Sequence, residues 1–378
     1  MLYKLLRLGK FCFIALRRQV KFGIPNHAPI AIIDAAGQQF LLGLFAEYRY
    51  VVIGNPIDIF YVNPRVLWAF IRCFAHVRRP EVAYAAALLR FVQPKIAVTL
   101  IDNADFFYEV SSLCQDIRFL AIQNANRIDV LFLPIEVSRQ IHIPEFACFG
   151  DYERDLYAQC GAKVGRFYPI GSLKDAQYRE TVPSVERAQE YDLCVVSEGA
   201  AGTDKEWFPG MEWAIVLILQ HAMRFCEKHR RRLCVAGKRP DLKYFELEKS
   251  MYTKYLGPDI PIVMPTRYAH STARLIDGSA VSLAICSTAL KEGLGRGNKV
   301  LFCNFTSEPR LDFPVDGIWL LTDSSFEEFE KRMLLLLEMD NAEFNKLAKY
   351  ATHYVMSYDP QKPTTAFLRE LIDDAVSK

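Results

Sequence analysis

The sequence predicts an α/β chain of two Rossmann-like domains, each a parallel sheet wrapped by helices, the pair facing a cleft. Three observations predict it. Short apolar runs alternate with helix-length stretches from end to end, which implies parallel strands joined by crossover helices. Many of those runs are apolar at nearly every position, as strands covered on both faces require. At 378 residues the chain is long for one core and comfortable for two.

The first residues stand apart. MLYKLLRLGKFCFIALRRQVKFGIP interleaves Leu, Phe and Ile with Lys4, Arg7, Lys10, Arg17, Arg18 and Lys21. Its uncharged run, Phe11 to Leu16, is too short to span a bilayer, and no small-residue cleavage site follows it. Residues 1–28 therefore read as a basic amphipathic segment, lying on an anionic leaflet or packed on the core with its basic face in solvent.

Residues 29–175 form the first predicted domain. Its strands are IAIIDAA (30–36), YVVIGN (50–55), KIAVTLI (95–101), RFLAIQN (118–124), FACFG (146–150) and VGRFYPIG (164–171). Four helical patterns separate them: PRVLWAFIRCFAHV, EVAYAAALLRFV, ADFFYEVSSLC and YERDLYAQCG. The polar stretch 174–190, with Pro183 and Ser184, reads as a linker. The second domain, 190–322, has strands YDLCVVS (191–197), RLCVAG (232–237), IPIVM (260–264), VSLAICS (281–287), KVLFCN (299–304) and IWLLT (318–322). The remainder, 323–378, is helical and long enough to cross back and brace the first domain.

Composition excludes several classes. Hydrophobic residues make up 51% and charged residues 24%, and the net charge is +2, which describes a soluble globular chain without the basic signature of a nucleic-acid binder. The ten cysteines include no C-x-x-C pair and mostly sit inside apolar runs, which disfavours a disulfide framework or zinc site. The seven histidines show no metal-ligand spacing, and there is no D-x-D pair, Walker-A sequence, G-x-G-x-x-G after the first strand or G-x-S-x-G elbow.

Ligands of open α/β sheets bind outside the carboxyl ends of the strands, so strand-end polar residues are the candidates. The most specific segment is VSLAICSTALKEGLGRGNKVLFC (281–303). It reads as a strand, a Ser287-Thr288 turn opening a short helix, Glu292 one turn in, and a second strand. Hydroxyls and N–H groups at a helix start suit a phosphate, and the carboxylate reaches ribose hydroxyls; the plainer reading is that Ser287 only caps the helix. YDLCVVS ends in Glu198, and the small-residue loop after it delivers Asp204, which is either a cleft carboxylate or the cap of the next helix. RLCVAG ends in Lys238-Arg239, two cations suited to a phosphate or carboxylate. His270 stands near a helix start, where it would meet the phosphate or leaving group, although a lone loop histidine is usually incidental. In the first domain, Asp102 and Asp105 end one strand, able to bind sugar hydroxyls or deprotonate one, with Asp105 favoured as a helix cap. Gln123, Asn124 and Arg127 end the next and read as acceptor-binding.

The runs TLIDNADFFYEVSSLCQDIRFLAIQNANR, FACFGDYERDLY, YPIGSLK, YDLCVVSE and CSTALKEGLGRGNKVLFCN resemble the bacterial surface-carbohydrate biosynthesis proteins. These are similar to the retaining β-Kdo glycosyltransferases of capsule, lipopolysaccharide and O-antigen assembly, Kdo being 3-deoxy-manno-octulosonic acid. The resemblance spans about residues 90–305 and implies a GT-B architecture, with acceptor on the N-terminal domain and nucleotide-sugar on the C-terminal one. It further implies a metal-independent reaction with a CMP-linked donor, no other cofactor, and a carboxylate nucleophile matched here by Asp204 or Glu198. Where the family reads Gln-Asn-Gly, this chain has Gln123-Asn124-Ala125. The expected partners are a nucleotide-sugar, a glycan or lipid-linked acceptor and peripheral contact with the inner membrane from the cytoplasm. The same nucleotide unit would serve a nucleotide-sugar 2-epimerase or a polyol-phosphate transferase, and a third reading is a non-catalytic glycan-assembly protein.

Overall fold

The computed structural model describes residues 2–15, 17–45, 47–182, 189–199, 210–266 and 270–378. The chain divides into two compact units, one of residues 1–149, 153–174 and 359–378, the other of residues 150–152 and 175–358.

The first unit carries strands β1 (Gln19–Phe22), β2 (Ile30–Ile33), β3 (Tyr50–Ile53), β4 (Ile59–Val62), β5 (Ile96–Thr99), β6 (Arg118–Ile122), β7 (His142–Cys148) and β8 (Lys163–Pro169). Six of them form a wholly parallel sheet in the order β3-β2-β5-β6-β7-β8. β2 and β5 are buried at every position, as their unbroken apolar sequences predict. Ile30, Ile32, Val98 and Leu120 pack on Leu368 and Ile372 from the last helix, Thr364–Ser377, so the C-terminus crosses back into this core. The helix Pro64–His76 starts where Asn63 accepts the Arg65 N–H at 2.9 Å and proline fills the first helical position.

The second unit carries β9 (Tyr191–Val196), β10 (Leu233–Ala236), β11 (Ile262–Val263), β12 (Ser279–Ala284), β13 (Val300–Cys303) and β14 (Leu320–Leu321). They form a second parallel sheet, ordered β11-β10-β9-β12-β13-β14. Counted within the unit this is 3-2-1-4-5-6, the doubly wound Rossmann order. Helices Phe326–Glu338 and Asn341–Val355 belong to this unit.

All twelve strands expected from the sequence form, with β11 and β14 reduced to two residues at the sheet edges. Two differences stand out. β1 and β4 pair in parallel as a separate ribbon, Gln19 opposite Ile59. Nothing local marks β1, since QVKF is exposed throughout and its partner lies 40 residues away. The stretch read as a linker opens with the helix Leu173–Thr181. LKDAQYRET is polar yet rich in helix formers and free of Gly and Pro, so polarity concealed its propensity. Among the described residues, no helix is long and apolar enough to cross a membrane.

Candidate functional site

In the second sheet the strand order reverses between β9 and β12, the switch point where a crevice opens beyond the strand ends. β9 runs out through Ser197, Glu198 and Gly199, and β12 through Ile285, Cys286 and Ser287. Glu198 closes the gap: its Oε1 accepts the Cys286 N–H at 2.9 Å. Burial raises the Glu198 pKa above the ordinary carboxylate value, with the Cys286 N–H and the Lys238 ammonium opposing part of the rise. The Lys238 ammonium donates to the Glu198 carbonyl oxygen. A carboxyl held this way at a strand end keeps its proton to higher pH than a free glutamate, and such a group can exchange a proton or meet a developing positive charge.

β10 contributes its end through Gly237, where an added Cβ would stand 2.9 Å from the Val263 carbonyl oxygen. Glycine is therefore required by close backbone approach, which brings Lys238 alongside β9. Behind it lies a group that strand-end reasoning missed. Glu248, only 2% exposed, accepts the Lys238 backbone N–H at 3.0 and 3.3 Å. Ser197 hydrogen-bonds Glu248, and its hydroxyl oxygen accepts the Tyr252 O–H at 2.8 Å and the Gly199 N–H at 3.0 Å. Burial raises the Glu248 pKa, with Ser197 and the Lys238 N–H pulling it back. The signal was legible: the inward stripe of helix Leu242–Leu256 is Phe245, Glu248, Tyr252, Leu256, and a glutamate in an apolar stripe needs partners.

The helix Thr288–Gly295 starts at this switch point. Ser287 takes the extended N-cap conformation, but its side chain makes no capping hydrogen bond. The plain capping reading of Ser287 therefore does not hold: the residue occupies the N-cap position without its hydroxyl serving as the cap. Thr288 opens the helix, and Glu292, one turn on and partly buried, adds its charge to that of Asp175 beside the Tyr358 hydroxyl. At the helix end, Arg296 pairs with Asp175 and, at 2.8 Å, with Asp277. Arg239 lays its guanidinium over the Tyr244 ring, 4.6 Å from the centroid. His270 precedes the helix Ser271–Asp277 in a left-handed conformation, its ring 5.3 Å from that of Tyr178. Burial, then the Arg274 charge, lowers its pKa, leaving it neutral near pH 7. Asp204 lies outside the described residues.

The first unit places its candidates differently. Its sheet reverses between β2 and β5, beside the Asp34–Gly37 turn, where the sequence reading named no residue. Asp34 has φ 71° and accepts the Ala36 N–H at 2.9 Å, and Gly37, at φ 74°, leaves room for Leu100. Asp102 is wholly buried and Arg127 3% exposed, joined by a two-pronged ion pair. Asp102 also accepts the Asn124 N–H at 3.1 Å, and Arg127 donates to Asn124 Oδ1 at 2.7 Å. Gln123 donates to Glu153 and to the Ala125 carbonyl, both at 3.0 Å, and accepts the Phe149 N–H at 2.7 Å. Asp102, Gln123, Asn124 and Arg127 are thus brought together, but as a knot that fixes the β5 and β6 loops. In this arrangement Asp102 and Arg127 bond chiefly to each other and to Asn124, and Gln123 to Glu153 and nearby backbone groups. Asp105 is not the cap either: Ala104 holds that position, and exposed Asp105 sits in the first turn, where its charge favours the helix dipole.

Two doubly wound parallel sheets, one reversing at a helix start flanked by Glu198 and Lys238, decide the fold. This is the GT-B fold. It is shared by a candidate UDP-N-acetylglucosamine 2-epimerase from Listeria monocytogenes at 14% identity, with 92% of this chain and 95% of that one matched and a TM-score of 0.55. Sucrose-phosphate synthase from Thermosynechococcus elongatus matches at 11% identity over 95% of this chain and 100% of its own, TM-score 0.52. The wall teichoic acid polymerase TagF, as its H548A form, matches at 9% identity over 100% of this chain and 98% of its own, TM-score 0.51. No family model and no curated protein matches the sequence.

Proposed function

We propose that the protein is a glycosyltransferase that moves a sugar from a nucleotide-sugar to a bacterial surface glycan or its lipid-linked precursor, with Kdo from CMP-Kdo as the donor. The observation that carries this reading is the uncapped start of helix Thr288–Gly295 at the β9/β12 reversal, flanked by Glu198 and the Lys238 ammonium. In this reading the N–H groups after Ser287, with Thr288 and Lys238, take the charge that develops on the departing phosphate. Glu292 receives ribose hydroxyls, and Arg239 meets the carboxylate of the sugar. Transfer runs by double displacement without a metal. A carboxylate oxygen of the loop after β9, assigned to Asp204 with Glu198 as the other candidate, bonds to the anomeric carbon as the phosphate leaves with its electron pair. The acceptor hydroxyl then displaces that carboxylate, which leaves with its electron pair, and gives up its proton to solvent water, so configuration is retained.

A lipid-linked acceptor fits the surface of the first unit. Phe11 of helix Leu2–Ala15 stacks on Phe70 at 5.7 Å, joining that helix to Pro64–His76. Around this joint Phe22 is 88% and Trp68 63% exposed, with Leu6, Phe13 and Ile71 also outward. Lys10, Arg17, Arg18 and Lys21 of the same segment are also exposed, Arg18 beside Asp58 at 3.4 Å, and apolar and basic groups in one segment suit an anionic leaflet on the cytoplasmic side. The test is calorimetry with CMP and then UDP, followed by incubation with CMP-Kdo and candidate acceptors. Absence of CMP binding, transfer and donor hydrolysis together would refute the proposal.

A second reading is nucleotide-sugar 2-epimerisation. The fold is shared with the Listeria candidate epimerase, and a nucleotide-binding unit would serve it without any acceptor. Interconversion of free nucleotide-sugars, seen by product analysis, separates the two.

A further inference from the structure

One face of the helix Asp105–Leu113 looks into a cavity. Asp105, Tyr108, Glu109 and Ser112, spaced i, i+3, i+4 and i+7, all line a space of about 500 Å³ within the first unit. The rest of the lining includes an apolar group, Val130, Leu133, Val137 and Ile141, together with the Tyr157 ring. Two polar atoms in this lining are buried without a hydrogen-bond partner among the described residues, the Tyr108 hydroxyl and Asp129 Oδ1. Tyr108 is only 8% exposed. Burial, reinforced by Tyr157 and Asp102, pushes its pKa well above the ordinary value, so it remains a neutral hydroxyl that can both donate and accept.

Native proteins leave few such groups unsatisfied, because a buried hydroxyl without a partner loses its hydration for nothing. The charge of the lining narrows what could satisfy it. Asp102, Asp105, Glu109 and Asp129 are present, and no lysine or arginine. Asp102 is neutralised by Arg127 and Glu109 by Arg79 at 2.9 Å. Asp105 and Asp129 remain as acceptors, and the surroundings repel anions.

We propose that this cavity binds a pyranose ring rich in hydrogen-bond donors, a neutral or amino sugar unit. Its hydroxyl or ammonium groups meet Asp129, Asp105 and the Tyr108 oxygen, and its C–H face lies on the apolar side. The volume suits one or two sugar rings. This deepens the transfer reading by naming the class of acceptor, but it is tested by binding alone, so its failure and the failure of that reading are distinguishable.

The experiment is saturation-transfer NMR and calorimetry on the full chain. The probes are methyl glucoside, N-acetylglucosamine and glucosamine, against glucuronate and glucose 6-phosphate as anionic counterparts, with CMP binding measured in parallel. The neutral and amino sugars are expected to bind, and the anionic ones to bind at least about tenfold more weakly. Tyr108→Phe and the isosteric Asp129→Asn should each weaken sugar binding by about tenfold or more with CMP affinity unchanged; a preference for glucosamine over methyl glucoside identifies the ammonium arm. Equal binding of anionic sugars, no signal from any sugar, or a Tyr108→Phe variant that melts higher while binding sugar undiminished would each overturn the proposal, the last marking a cavity that holds only water.

Discussion

Replacing Asp102 separates a structural from a catalytic carboxylate. It is wholly buried and forms a two-pronged ion pair with Arg127, itself 3% exposed, while also accepting the Asn124 N–H at 3.1 Å. Asp102→Ala leaves a buried guanidinium without its counter-ion, at a cost of about 3–5 kcal/mol. The orphaned Asn124 N–H adds about 1 kcal/mol, for about 4–6 kcal/mol in all. That is a large fraction of the roughly 5–15 kcal/mol by which a domain is stable. The double variant Asp102→Leu/Arg127→Met removes both charges and should recover most of the loss, to within about 2 kcal/mol of the native chain. Urea denaturation read by circular dichroism gives the totals, and hydrogen exchange of β5 and β6 localises the effect to the first unit. A single variant that loses less than about 1 kcal/mol, or a double variant no better than the single, refutes the ion-pair account. A chain of native stability that has lost transfer would restore Asp102 to catalysis.

Glu198→Gln keeps the Cys286 contact but removes the charge, and transfer should fall about 10²-fold or more with CMP affinity little changed, measured by donor turnover and calorimetry. The Glu198 pKa is raised on folding, so the native state holds the proton longer and stability declines as pH rises from about 4.5 through the folded value. The glutamine variant should therefore melt higher than the native chain at pH 7, with the difference vanishing below about pH 4.5. Because Ser287 makes no capping bond, Ser287→Ala should cost under about 0.5 kcal/mol where a true cap costs about 1, yet weaken nucleotide binding several-fold in calorimetry. Trp68→Glu/Ile71→Glu should abolish flotation with anionic vesicles while leaving CMP binding intact; unchanged flotation removes this surface from the membrane reading.

The alternation of buried strands and helices was legible because parallel strands are apolar along their whole length, and that pattern is local. The Ser287-Thr288-Glu292 unit was legible for the same reason, strand, turn and helix being contiguous. β1 was not, because an exposed QVKF becomes a strand only when β4, 40 residues on, arrives beside it. Glu248 was readable in principle, as a glutamate in an apolar helical stripe, but its role depends on the distant ends of β9 and β10.

The sequence by itself determined the fold class, the twelve main strands and the helix start after Ser287, since each follows from neighbouring residues. Only the tertiary structure decided what the strand-end polar groups bond to. Asp102 and Arg127, 25 residues apart, meet in a closed pair, whereas Glu198 and Cys286, 88 apart, meet at the switch point. A carboxylate at a strand end looks the same in either place. Whether it is consumed or left to act depends on the charge that packing brings against it.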